Sequence, residues 1–223
     1  MKEITNAGEE VNDMKVILVN GSPHEKGCTY TAIDEVAKTL NDEGIDTKIF
    51  WIGTKPISGC IDCGGCRTKG KCAITDCVNE FVELAKTADG FVFGSPVHFA
   101  SASGAMTSFM DRAFFSNLCS HGNAYYLKPA ACVLSARRAG TTAAFDQLNK
   151  YFTLSQMPVI SSKYWNMVHG QKPEEVKQDL EGLQVMRVLG RNMAWFLKCK
   201  EAGIKAGVPF PKQEKNITTN FIR

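Results

Sequence analysis

The sequence predicts an α/β fold, a doubly wound five-stranded parallel sheet with helices on both faces and a cysteine-rich loop inserted after the second strand. Two observations point there. Five short apolar runs, bounded by Gly, Pro, Ser and Asn, alternate with segments whose apolar residues recur at helical spacing. The loops that follow three of those runs, 20–29, 95–103 and 135–142, are rich in Gly, Ser, Ala and Thr. In such sheets ligands gather beyond the carboxyl ends of the strands, and small residues let a backbone approach a planar ligand closely. A chain of 223 residues with 44% hydrophobic content is enough for one domain with a generous core.

The elements follow in order. Residues 1–14 are polar and read as a leader to a domain spanning 15–202. Residues 16–19 (Val-Ile-Leu-Val) form an unbroken apolar run suited to a strand buried on both faces, stopped by Asn20, Gly21, Ser22 and Pro23. From Thr29 onward, Ala32, Ile33, Val36, Ala37 and Leu40 fall on one helical face. Residues 46–51 read as the second strand, and 53–77, with five cysteines and no periodicity, as the inserted loop. A short helix over 78–86 places Phe81, Val82 and Ala85 on one face, and 90–94 is the third strand. Ala105, Met106, Phe109, Met110 and Ala113 mark the next helix. Met110, Phe114 and Phe115 are more apolar than one helix face needs, which predicts an assembly contact. Residues 129–135 read as the fourth strand, 142–154 as a helix, 158–160 as the fifth strand and 184–200 as the closing helix. The tail, 203–223, has no core of its own and is expected to cross to a second copy near the ligand.

Composition narrows the partners. A net charge of +3 argues against a nucleic-acid partner, and no apolar run approaches the ~20 residues of a membrane span. The first ten residues lack the apolar stretch of a secretion signal. Nine cysteines without such a signal read as thiols or metal ligands in a reducing, cytoplasmic setting.

The loop after the first strand is the natural anion site. A helix start presents free N–H groups and a partial positive charge, which suits a phosphate. Ser22 and Thr29 add hydroxyl donors and Lys26 a charge. The loop has Cys28 where a P-loop carries its lysine, and it lacks G-x-G-x-x-G, so ATP and a dinucleotide fingerprint are disfavoured. The bland alternative is an ordinary strand-to-helix turn.

Cys60, Cys63, Cys66 and Cys72 follow the spacing C-x2-C-x2-C-x5-C. Four thiolates so spaced suit a [4Fe–4S] cluster, equally a tetrahedral zinc, or else remain free thiols or a C-x-x-C redox pair. Gly64 and Gly65 let the chain curl, and Arg67, Lys69 and Lys71 favour thiolates. Tyr164 and Trp165 read either as a pocket wall or as core. His24, His121 and His169 fall outside any constellation.

Several of these segments together resemble a known family. Asn-Gly-Ser-Pro at 20–23 with Gly27-Cys-Thr, Gly94-Ser-Pro-Val-His-Phe and Met110-Asp-Arg resemble the flavodoxin-like NAD(P)H-dependent FMN reductases. The cysteine loop with Gly70-Lys-Cys and Asp76 resembles their iron–sulfur flavoprotein branch, although cluster-free relatives share it. The resemblance implies a flavodoxin-like sheet carrying FMN at a dimer interface, in a homodimer or tetramer, with NAD(P)H as co-substrate and a small-molecule electron acceptor. It places Ser22, Lys26, Cys28 and Thr29 around the phosphate and Pro96, Val97, His98 and Phe99 beside the ring. Ala136, Arg137, Arg138 and Gly140 would then reach the pyrimidine edge. His98 stands where tyrosine is common, and Cys77 where a second aspartate is common. The absence of a second Gly-rich fingerprint favours FMN over FAD. The flavin carries the chemistry, so no acid/base pair is expected. Two other functions compete with the reductase: an electron carrier between protein partners, and a zinc-stabilised binding module.

Overall fold

The computed structural model describes residues 14–215 and 217–221, so nearly all of the expected polar leader lies outside the described residues. The chain runs β1 (Lys15–Asn20), α1 (Cys28–Asp42), β2 (Asp46–Trp51), α2 (Gly65–Lys69), α3 (Cys77–Ala85), β3 (Gly90–His98) and β4 (Ser101–Ala102). It continues α4 (Gly104–Cys119), β5 (Ala130–Ala136), α5 (Thr141–Leu154), β6 (Met167–His169), α6 (Pro173–Val176) and α7 (Leu180–Lys205). The main sheet is ordered β2-β1-β3-β5-β6 and every neighbouring pair is parallel. The strand order reverses between β1 and β3, so the chain leaves a crevice at their carboxyl ends, where doubly wound sheets bind ligands.

Alternation along the buried strands feeds two cores. Ile17 and Val19 of β1, with Phe91 and Phe93 of β3, face α3, α4 and α5 in an aromatic-rich layer that includes Phe81, Phe109 and Phe152. Val16, Leu18 and Val92 face α1 and α7 across an aliphatic layer of Ile33, Leu40, Met186 and Met193. Both faces of the sheet are therefore dry, as its unbroken apolar runs demand.

Three findings bear on the sequence reading. The fifth strand is β6, at 167–169, while 158–160 makes only an isolated bridge, Ala130 to Val159. Pro158 has no N–H to donate, so only its carbonyl joins the ladder, accepting from Ala130 N at 2.9 Å. The edge then loops out and re-enters where Asn166, buried, donates to Cys132 O at 3.0 Å. Second, Met110 and Phe114 are buried within their own chain, and Phe114 stacks on Tyr125 with centroids 4.4 Å apart. Phe115, the third residue of that expectation, is half-buried at the cysteine cavity. Third, Val208, Phe210 and Pro211 of the tail line a cavity with Leu127 and Pro158, and Gln213 bonds Tyr126. That is the amino end of the strands, opposite the crevice expected to hold the ligand. Among the described residues no helix is long and apolar enough to cross a membrane.

Candidate flavin site and cysteine cavity

The crevice is assembled from backbone. Gly21 N donates to Gly94 O at 2.8 Å, tying the end of β1 to β3. A Cβ on Gly94 would stand 2.7 Å from Ile33 Cγ2 and 2.9 Å from Thr29 Cγ2, so only glycine lets α1 begin this close to the sheet. Asn20, fully buried, accepts from Ser22 N and donates to Glu25 O, while Trp51 Nε1 donates to Ser22 O at 2.8 Å. Side chains from the ends of two strands thus fix the loop before any ligand arrives.

α1 opens at Cys28 behind Gly27, and no described side chain caps it. Its first-turn N–H groups are thus left free of side-chain caps, and Lys26 beside them is exposed. The Thr29 hydroxyl points inward instead, meeting Ser135 Oγ of β5 at 2.8 Å in a buried pair. Ser22 is also buried, and its Oγ accepts from His24 N at 3.1 Å. Of the four residues expected around a phosphate, Thr29 and Cys28 therefore offer backbone N–H groups. Burial, and less strongly the Glu175 and Glu174 carboxylates of α6, push the Cys28 thiol above its ordinary value, so it stays neutral.

The second wall is the β3–β4 hairpin. Val97 pairs with Ala102 and His98 with Ser101, leaving a two-residue turn of Phe99 and Ala100 at φ 49° and 56°. Positive φ at both central residues is normally the province of Asn and Gly. Phe99 carries it while wholly exposed, which is backbone strain with no packing of the ring to offset it. Gly140, at φ 96°, brings the third loop against this turn, where a Cβ would lie 2.6 Å from Ala100 Cα. The structure thus brings together Pro96, Val97, His98 and Phe99 with Ala136 and Gly140. Arg137 and Arg138 are exposed beside them and make no ion pair among the described residues.

The cysteine loop forms a separate site. Cys60, Cys63, Cys66 and Cys72 all line one cavity, together with Arg112, Phe115 and Ser116 of α4. Cys66 is buried on α2, Cys72 is half-buried, and Cys60 and Cys63 are exposed. No described group of three or more Cys, His, Asp or Glu is already in ligating geometry, but the four thiols line the cavity with Asp62 as its one carboxylate. Such a set fits a thiophilic metal or an iron–sulfur cluster. Cys77 lies apart, its thiol directed at Ile52 O at 3.7 Å.

Sequence reasoning names Arg112 only within Met110-Asp-Arg and gives it no role, yet this residue holds the loop. Arg112, 1% exposed, grips Asp76 through both carboxylate oxygens at 2.6 and 2.9 Å. Asp76 also caps α3 by accepting from Val78 N. Burial opposes the Arg112 charge, but the hydrogen bonds to Asp76 and Cys72 outweigh it and hold the guanidinium above its ordinary value. The available signal was a charged residue placed between Phe109, Met110 and Ala113 on an apolar helical face. Cys119, at the end of α4, was also missed; burial and this neighbouring thiol push Cys66 upward.

Comparison with known proteins resolves the family. The sequence model of NADPH-dependent FMN reductases matches residues 14–172. The chain belongs to that family. Within it, the chain falls in the iron–sulfur flavoprotein branch: it is 31% identical over 194 residues to an iron–sulfur flavoprotein of Methanocaldococcus jannaschii, covering 83% of this chain and 98% of the relative. The fold also matches RosB, whose structure contains a formyl-riboflavin phosphate intermediate, at TM-score 0.65 and 15% identity over 94% of this chain and 92% of that one. An archaeal flavodoxin matches at TM-score 0.55 and 17% identity over 83% and 99%. The reductase family member described here is therefore a flavodoxin-like FMN-dependent oxidoreductase.

Proposed function

We propose that the protein takes hydride from NAD(P)H and passes electrons through FMN to a small acceptor, with the cysteine cavity holding a [4Fe–4S] cluster. The observation that carries the flavin part is the uncapped start of α1 beside the β1/β3 crossover, laced to the other two loops through Gly94, Ser135 and Gly140. FMN, when bound, supplies the hydride and electron chemistry. The chain's own residues bind and orient: the α1 amides and Lys26 hold the phosphate, the hairpin from Pro96 to Phe99 flanks the ring, and Arg137 and Arg138 attract anionic groups of the nicotinamide cofactor. A family name and the sulfur lining of the cavity support the cluster.

A second reading is favoured by the rim of that cavity, where Ile61 is 65% exposed beside Cys60 and Cys63. An exposed apolar rim around a redox centre suits a docking protein, making the chain an electron carrier. One anaerobic experiment separates the two. Purified full-length protein is assayed for FMN, iron and sulfide, then mixed with NADH or NADPH and with quinone, nitro or flavin acceptors. Pyridine-nucleotide oxidation coupled to acceptor reduction supports the enzyme. Flavin and iron without that turnover support the carrier, and a colourless protein holding zinc overturns both. We also propose at least a homodimer, checked by light scattering.

A further inference from the structure

Arg112 places all five of its N–H donors. Nη1 donates to Asp76 Oδ2 at 2.6 Å and Ser58 O at 3.4 Å, and Nη2 to Asp76 Oδ1 and Ile74 O, both at 2.9 Å. The fifth, on Nε, goes to Cys72 Sγ at 3.3 Å. Four donors have oxygen acceptors, and one has a sulfur. The guanidinium thus fixes the position of the Cys72 sulfur through its one donor that no oxygen takes. The fork also spans the loop, fastening positions 58, 72, 74 and 76 to one point on α4.

The four cysteines are consequently unequal. Cys72 is fixed by Arg112 and Cys66 by α2, whereas Cys60 and Cys63 lie exposed on a segment without regular structure. We propose that Arg112 is the positioning residue of a four-thiolate metal site: it presets the position of Cys72, and Cys60 and Cys63 close onto the metal last. This rests on reading the cysteine cavity as a metal site. It assigns Arg112 a role on the sulfur side of the molecule, distinct from the flavin crevice.

The test titrates full-length, metal-free protein anaerobically with cobalt(II) alone, whose thiolate-to-metal absorption grows with the number of sulfurs bound. The wild type is expected to show a four-thiolate band and Cys72→Ser a three-thiolate band. Arg112→Lys keeps the charge but removes the fork. It is expected to bind cobalt at least tenfold more weakly, with a band matching Cys72→Ser, while retaining its FMN. A full four-thiolate band at wild-type affinity in Arg112→Lys overturns the proposal alone. No cobalt uptake by the wild type overturns the metal-site reading and the proposal with it. Should Arg112→Lys fail to fold, alkylation of the wild-type metal-free protein decides: Cys72 is expected to react at least tenfold more slowly than Cys60 and Cys63, and equal rates overturn the preset ligand.

Discussion

The flavin crevice and the cysteine cavity both gather residues far apart in the chain, but they are held together in opposite ways. At the crevice the ties are many, and most have a main-chain acceptor: Gly21 N to Gly94 O, Ser103 Oγ to Gly21 O, Trp51 Nε1 to Ser22 O, with Thr29 paired to Ser135 through their side chains. Glycines set the spacing, and each tie repeats information the others carry. At the cavity a single side chain, Arg112, collects the loop, while the bonds from Asn79 to Cys72 O and Ile74 O and from Thr68 to Gly65 O, on the cysteines' own segment, are short-range. A redundant frame tolerates loss of one bond and presents a finished surface to its ligand. A loop hung from one residue can open to admit a metal, at the cost of depending on that residue.

The sharpest way to break this comparison is Arg112→Ala. It leaves Asp76 without its ion-pair partner and removes one donor from the Ser58 and Ile74 carbonyls, Ile74 keeping its bond from Asn79. Breaking a buried ion pair by removing one member costs about 3–5 kcal/mol, at the lower end here because Asp76 is partly open to water. Chemical denaturation checks the loss, and FMN content is expected to survive wherever the protein still folds. Loss of FMN from folded protein would show that the crevice and cavity are not independent.

The reciprocal change is Gly94→Ala. Its methyl group meets Ile33 and Thr29 at distances that real contacts do not show, so α1 has to move off the sheet. Overpacking of this kind costs about 1–3 kcal/mol. Because it displaces the α1 amides, FMN affinity measured by fluorescence quenching is expected to drop at least tenfold, while cobalt uptake by the cysteine cavity stays unchanged. Affinity equal to wild type would move the phosphate away from α1.

A smaller effect of opposite sign belongs to Phe99. Left-handed backbone costs an L-residue about 1–2 kcal/mol relative to glycine. Phe99→Gly is therefore expected to raise stability by up to about 1 kcal/mol, after the entropy that glycine loses on folding. Acceptor or flavin binding should weaken, since the exposed ring is gone. A variant that is both more stable and fully active would mean that the strain serves no ligand.

How much of this was readable beforehand follows from the same contrast. The crevice follows local rules, apolar run, small-residue loop and helix start, so its three loops and their convergence were legible. What stayed hidden is which atoms face inward. Nothing local shows that Thr29 Oγ1 turns from the mouth towards Ser135, 106 positions away. The fifth strand was misplaced because Pro158-Val-Ile has the right composition, and only the sheet edge shows that 167–169 pairs better with β5. Spacing made the four cysteines legible too. Arg112 was not, because its partners lie 36 to 54 positions away and its function comes from tertiary burial.

The smallest effect provides a control far from both sites. At the amino end of the sheet, Lys128 Nζ donates to Ala85 O and Lys86 O at the end of α3 and lies 5.9 Å from the centre of the Phe91 ring. These contacts favour the charge, as does Asp89, but burial outweighs them and pushes Lys128 down to about 8. Lys200, lowered mainly by burial and raised by Asp89, stands nearby. The unfolded chain holds its proton to near pH 10.4. Below about pH 8 both states are protonated and the cost of burying the charge is fully present. Between about pH 8 and 10.4 the unfolded state binds more protons, so this residue makes stability rise with pH. Lys128→Met is expected to remove that rise from a denaturation series over this window without moving FMN or cobalt affinity. A slope unchanged in the variant would assign it to Lys200, whereas a change in either affinity would show that the amino end of the sheet is coupled to the sites at its other end.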